Sequence, residues 1–241
     1  MRTILIILYL AVYIIVHLPL LAYFKSEKKK DPAKVQQMAQ VRVAKVFRVM
    51  CAIAGVKASV TGLENIPEGT PVLFIGNHRS FFDIFITYPL CPPRTSYVAQ
   101  DGLRKIPFIG TWGDAMGILF FNRDDMKQAL KMIQAGIACL KTDTSVFVFP
   151  EGTRSKNKSE LPLNEFKEGT FRLATKSGRP IIPVALTGTR DIWEAHYPWA
   201  RPAYVTVKYG KPIYLNELPE NDRKHPAGYV QHVIEEMLKE G

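Results

Sequence analysis

Six short runs of apolar or β-branched residues constrain this chain more than any other feature. They are PVLFIG (71–76), TSYVAQ (95–100), GILFF (117–121), SVFVFP (145–150), IIPVAL (181–186) and YVTVKYG (204–210). Runs this short and continuous suit strands buried on both faces, because a sheet with one wet face would show alternation instead. Between them lie stretches with helical patterning: 80–88, 125–141 with Asp124 as the expected cap, 166–177, and about 227–239. Strands alternating with helices predict an α/β domain, a mixed and largely buried β-sheet flanked by helices. The 241 residues suffice for one such domain plus an appendage. With 47% hydrophobic residues the chain is not a disordered one.

The appendage is N-terminal. Residues 3–24, TILIILYLAVYIIVHLPLLAYF, carry no formal charge unless His17 is protonated. About 20 apolar residues are enough for a helix to cross a bilayer. A signal peptide has a shorter apolar region and a small-residue cleavage site, and no A-x-A-like site stands here. Residues 1–30 are therefore read as a retained hydrophobic membrane segment with a basic flank. His17 and Pro19 predict a kink, or a segment that enters one leaflet without crossing. Lys25, Lys28, Lys29 and Lys30 follow the segment, whereas only Arg2 precedes it. The positive-inside rule then predicts a cytoplasmic-membrane protein with the bulk of the chain on the cytoplasmic face. The lysines also suit an anionic membrane surface.

Residues 31–55 read as a basic amphipathic helix, with Asp31 as N-cap, Pro32 in the first turn and Gly55 as the stop. At about 100° per residue, Lys34, Arg42, Lys45 and Arg48 share an arc of about 120°. Val35, Met38, Val46, Val49 and Ile53 lie largely elsewhere. Such a helix either rests at a membrane interface or packs on the domain, and with the first segment it could form a hairpin held on one leaflet. Residues 56–241 form the remaining, main domain.

A net charge of +10 points to an anionic partner: nucleic acid, an acidic membrane or a phosphorylated substrate. No nucleic-acid motif or basic arm is present, so a nucleic-acid partner is not expected. Cys51, Cys91 and Cys139 are far apart and form no C-x-x-C pair, which argues against a zinc site or a disulfide framework.

The most informative ten residues are GNHRSFFDIF (76–85). Ser80-Phe81-Phe82-Asp83 fits the S-x-x-D form of a capping box, in which Asp83 merely holds a helix start. The same spacing also allows a catalytic pair. With His78 in the strand-to-helix turn and Asp83 in the first helical turn, the carboxylate can fix one ring nitrogen and leave the other to take a proton from a hydroxyl. No G-x-S-x-G elbow and no H-E-x-x-H metal pattern accompany them. The attacking hydroxyl would then belong to a substrate, and no metal or cofactor is expected. Lys105, Arg123 and Arg154 stand near loop or strand ends, where they could hold a phosphate or remain solvated surface charges. Glu151, beside Gly152, could equally be a turn carboxylate. The irregular stretch 151–164 follows a strand, where α/β proteins place binding loops.

Taken together, the motifs resemble those of the glycerolipid acyltransferases. NHRSFFD is similar to their H-x-x-x-x-D block, GILFFNR to G-x-x-F-x-x-R, FPEGTRS to the third block and IIPVA to the fourth. The order agrees, over residues of about 60–210, and among these enzymes the bacterial 1-acyl-glycerol-3-phosphate acyltransferases are the best match. The resemblance implies that His78 is a general base oriented by Asp83. It further implies that Gly117, Phe120 and Arg123 bind the acceptor, with Arg123 on its phosphate, and that Glu151, Gly152 and Arg154 shape the same site. Lys105 is a further phosphate candidate, and Pro183 belongs to the block linked with the acyl chain or sheet packing. The implied reaction moves a fatty acyl group from acyl-CoA or acyl-carrier protein to the free hydroxyl of a membrane lipid acceptor, 1-acyl-glycerol-3-phosphate, giving phosphatidic acid. Backbone N–H groups at the helix start after His78 are the expected oxyanion donors. Competing readings are a related enzyme acting on glycerol 3-phosphate, a lysophospholipid or an aminoacyl lipid; a membrane-tethered binding protein for an anionic ligand; and a thioesterase-like hydrolase.

Overall fold

The six apolar runs all become strands of one sheet, and a seventh strand joins them. The computed structural model describes residues 1–240. Its strands are β1 (Val56–Thr61), β2 (Leu73–Gly76), β3 (Thr95–Gln100), β4 (Leu119–Phe121), β5 (Ser145–Val148), β6 (Ile181–Thr187) and β7 (Ala203–Tyr209). They run in the spatial order β1-β7-β6-β2-β5-β3-β4. Every neighbouring pair is parallel except β6–β7, so the sheet is mixed as expected. All four residues of β2 and of β5 are buried, which is why their sequences show no alternation. The strand absent from the sequence reading is β1, VKASVT. It lies at the sheet edge and is largely exposed, so it had no need of an apolar run.

Two cores sandwich the sheet. On one face α1 (Arg2–Val16), α2 (Leu18–Glu27), α3 (Pro32–Ala54), α4 (Phe82–Thr87) and α5 (Ile109–Ala115) cover Phe74, Phe147, Val184 and Val205. On the other, α6 (Met126–Lys141), α7 (Arg172–Ser177) and α9 (Pro226–Lys239) cover Leu73, Ile75 and Val146; the short α8 (Glu220–Lys224) precedes α9. Each fully buried aliphatic or Phe side chain contributes about 1.5–3 kcal/mol relative to exposure. The cap of α6 is Asp125, not Asp124: its Oδ1 accepts from Lys127 N–H at 2.9 Å and Gln128 N–H at 3.1 Å, whereas the Asp124 N–H turns to Asn122 Oδ1. The helical stretch expected at 166–177 forms only a 3₁₀ turn at Glu168–Phe171 and the short α7, which stops at Gly178 with φ +71°.

Helix α3 packs its apolar face on the domain. Asp31 caps it through Lys34 N–H at 2.9 Å, and Gly55 ends it with φ +80°. Its apolar face, Val35, Ala39, Val43, Val46 and Met50, is buried on the domain, while Lys34, Lys45 and Arg48 remain exposed. Ahead of it the hydrophobic segment is broken at His17, where α1 and α2 meet at a bend of 56°. The 15 residues of α1 extend about 22 Å, short of the roughly 30 Å of hydrocarbon in a bilayer. Among the described residues no single helix is long and apolar enough to cross a membrane. Ile6 packs into the core with Tyr9, Leu10 and Tyr13 beside it. The opposite face, Ile4, Leu8, Val12, Ile15 and Val16, is at least half exposed.

Candidate active site

Strand direction gathers the candidate groups. Because β2, β3, β4, β5 and β6 are mutually parallel, the loops leaving their C-terminal ends share one rim of the sheet. His78 follows β2, Lys105 ends the 3₁₀ turn after β3, Arg123 follows β4, and Glu151, Gly152 and Arg154 follow β5. Lys105 and Arg123 are exposed. Gly117 sits apart from this group, at the entrance to β4. There its φ of +72° makes a turn against Gln36 and Ser96. Phe120, on β4, packs its ring edge over Gly113, with the Arg104 guanidinium 5.9 Å from the ring centre.

At the centre of the rim His78 Nδ1 lies 2.8 Å from Asp83 Oδ2. The same oxygen accepts from the Arg79 N–H at 2.7 Å and the Ser80 N–H at 2.8 Å. Asp83 is fully buried, and its other oxygen has no partner. An oxygen already receiving two N–H bonds is an acceptor, so Nδ1 carries the proton and donates it. The other ring nitrogen, Nε2, is left as the basic one, with no protein partner among the described residues. The imidazole stacks on Phe149 at 4.2 Å and keeps 15% of its surface exposed. The same carboxylate that holds the imidazole also forms a box-like cap: Asp83 reaches back to the Ser80 N–H, while Ser80 Oγ accepts from the Phe82 N–H at 3.0 Å.

That arrangement overturns one expectation. The N–H groups at the start of α4 are not available as oxyanion donors: Arg79 and Ser80 serve Asp83, Phe81 serves Glu194 Oε1 at 3.0 Å, and Phe82 serves Ser80. By contrast the N–H groups of Thr153 and Arg154 make no hydrogen bond among the described residues.

The loop 149–164 is fastened to the histidine turn from both sides. Glu151 Oε1 accepts from the His78 N–H at 2.6 Å, Glu151 Oε2 accepts from the Asn164 N–H at 3.1 Å, and the Ser155 N–H donates to the His78 carbonyl at 2.7 Å. Burial pushes the Glu151 carboxyl up, and these hydrogen bonds oppose that shift. Glu151 therefore braces the turn. Gly152, at φ +70°, supplies the left-handed step that carries the chain round to Arg154. Arg154 lies with its guanidinium 3.8 Å from the centre of the Phe81 ring, and its Nη1 donates to Glu194 Oε1 at 2.9 Å.

Further residues that were not singled out in sequence hold the site. Asn77 makes a reciprocal pair with the backbone of Leu186, at 2.9 and 2.8 Å, tying the histidine turn to the end of β6. Arg79 is 1% exposed. It donates to the carbonyls of Asn157, Lys158 and Ser159 and pairs with Glu160. Glu160 in turn accepts from the Gly188 N–H at 3.0 Å. Asn77 and Arg79 flank His78, so position alone could have flagged them, whereas Glu160 and Glu194 lie outside every recognisable block.

No Ser, Thr or Cys side chain hydrogen-bonds to His78 among the described residues. Burial pushes the Cys51 and Cys91 thiols up to about 12, so neither offers a thiolate at neutral pH. Among the described residues no group of three or more His, Cys, Asp or Glu could hold a metal ion.

Known proteins place the chain in a family. Residues 57–187 match the family model described as Acyltransferase. A 1-acyl-sn-glycerol-3-phosphate acyltransferase from Saccharomyces cerevisiae is 32% identical over 207 residues, covering 85% of this chain and 68% of the relative. One of the same name from Borreliella burgdorferi is 29% identical over 195 residues, covering 80% and 76%. The crystal structure of the 1-acyl-sn-glycerophosphate (LPA) acyltransferase from Thermotoga maritima has the same fold, with a TM-score of 0.77 at 23% identity over 99% of this chain and 97% of that one. The chain belongs to the acyltransferase family.

Proposed function

We propose that the enzyme transfers a fatty acyl group from an acyl thioester to the free hydroxyl of 1-acyl-glycerol-3-phosphate, giving phosphatidic acid. The observation that carries this reading is the basic, partnerless Nε2 of His78, held by a buried carboxylate on the same rim as Arg154. His78 Nε2 takes the proton of the acceptor's hydroxyl as its oxygen attacks the thioester carbon. The resulting imidazolium is stabilised by Asp83 and then protonates the departing thiolate, so the products are the diacyl lipid and a free thiol. The absence of any side-chain nucleophile against His78 supports direct transfer without an acyl-enzyme. The unbonded N–H groups of Thr153 and Arg154 are candidate backbone donors for the developing oxyanion. Arg154, Arg123 and Lys105 offer positive charge to the acceptor's phosphate.

Lipid substrates suit the N-terminal helices. The apolar face of α1, flanked by the exposed lysines 25 and 28–30, fits a helix lying in one leaflet of an anionic membrane on its cytoplasmic side. Exposed Tyr197 and Trp199 adjoin that helix, since Thr3 bonds to the Pro198 carbonyl and the Ala200 N–H. Aromatic side chains favour this headgroup level. The β6–β7 loop that carries them also reaches the active-site rim through Trp193, whose ring lies 5.8 Å from that of Phe81.

The test is a purified full-length enzyme assayed with lysophosphatidate against glycerol 3-phosphate, a lysophospholipid and an aminoacyl lipid, each with acyl-CoA and with acyl-carrier protein. Phosphatidate formation with the highest kcat/KM on lysophosphatidate is expected. Strong preference for another acceptor, or equal acyl release without acceptor, would overturn the reading.

A further inference from the structure

Arg154 does not stand free at the rim. One nitrogen of its guanidinium donates to Glu194 Oε1 at 2.9 Å, and its central carbon sits 3.8 Å from the centre of the Phe81 ring. The same carboxylate oxygen accepts the Phe81 N–H at 3.0 Å, so one atom fixes both the arginine and the start of α4, three residues after His78. Trp193 backs the Phe81 ring at 5.8 Å. The backbone around Glu194 is itself tied down, with the Ala195 N–H on the Arg190 carbonyl at 3.0 Å and the Arg201 N–H on the Ile192 carbonyl at 2.8 Å. No other protein acceptor engages the Arg154 guanidinium among the described residues.

We infer that Glu194 is a positioning residue for acceptor recognition: it holds Arg154 by one edge so that the remaining N–H donors meet the acceptor's phosphate at a fixed distance from His78. A guanidinium free to swing loses side-chain entropy on binding, whereas one already clamped by a carboxylate and a ring has lost it before the ligand arrives. Because Glu194 touches neither His78 nor Asp83, its effect falls on acceptor binding more than on the chemical step.

This inference rests on the lysophosphatidate reading, and the experiment separates the two. Wild type, Glu194→Ala, Glu194→Gln, Arg154→Ala and the double Arg154→Ala/Glu194→Ala are assayed with lysophosphatidate micelles and acyl-CoA. If wild type does not acylate lysophosphatidate, the functional reading fails first. If it does, Glu194→Ala is expected to raise the acceptor KM about tenfold, with the donor KM unchanged and kcat within about threefold. Glu194→Gln, which keeps an oxygen acceptor for both donors, restores most of the affinity and guards against misfolding in the alanine variant. In the Arg154→Ala background the Glu194→Ala change adds no further rise in acceptor KM. Three outcomes would overturn the inference: a wild-type acceptor KM in Glu194→Ala, effects that add fully in the double variant, or a fall in acceptor KM. The last would mean that Glu194 competes with the phosphate for Arg154.

Discussion

Three N–H donors converge on a single oxygen of Asp83, and this makes Asp83→Asn an unusually clean perturbation. An asparagine whose carbonyl oxygen takes the place of Oδ2 accepts all three. Its amide nitrogen then falls at Oδ1, the oxygen that has no partner. The substitution keeps the position and tautomer of His78 and removes only the charge. That charge matters when the imidazolium forms. Opposite unit charges about 4 Å apart, at the effective dielectric of about 20 suited to protein sites, attract by about 4 kcal/mol. With His78 15% exposed we take about 3–4 kcal/mol, or roughly 10²–10³ in kcat. The assay is thiol release at saturating acyl-CoA and lysophosphatidate, with acceptor KM expected near wild type and the melting curve confirming a folded variant. A kcat within threefold of wild type, or a loss confined to acceptor KM, would refute the argument that the carboxylate's charge serves the chemistry.

Other expectations follow from the same contacts. Asn77→Ala strips both partners from the buried Leu186 backbone and should cost about 3 kcal/mol in urea unfolding. For Glu151, burial raises the native carboxyl above its unfolded value, so the native state holds its proton to higher pH than the unfolded chain does. Its contribution is fully present below the ordinary carboxylate range and is lost as pH rises through the raised value. The difference in unfolding free energy between wild type and Glu151→Gln should decline across that window and level off above it. Val12→Glu alters a side chain that is 60% exposed, so the melting temperature should hold. Cosedimentation with vesicles containing phosphatidylglycerol should meanwhile weaken about tenfold.

The sheet was legible because β2, β5 and β6 are buried on both faces and must be apolar throughout. The edge strand β1 was not, since pairing with β7 on one side leaves most of its side chains in water. His78 and Asp83 were legible for a local reason: a turn and one helical residue place both groups, and five positions of sequence contain the whole geometry. The exchange of backbone donors around them was not local. Glu194 lies 113 positions from Phe81, and Glu160 reaches Gly188 across 28. Only the parallel strands bring those loops to one rim, and no pattern of residues announces such contacts beforehand. The helix start after His78 shows the same limit. Its N–H groups looked free in sequence, yet Asp83 claims two of them locally and the distant carboxylate of Glu194 takes a third.

The most direct test of the account is the turnover of His78→Ala with saturating lysophosphatidate and acyl-CoA, paired with equilibrium binding of the acceptor to the same variant. Removing the base should lower kcat at least about a hundredfold while acceptor affinity stays at the wild-type value. Turnover within a few-fold of wild type would contradict it, because the reaction would then not need this imidazole as its base.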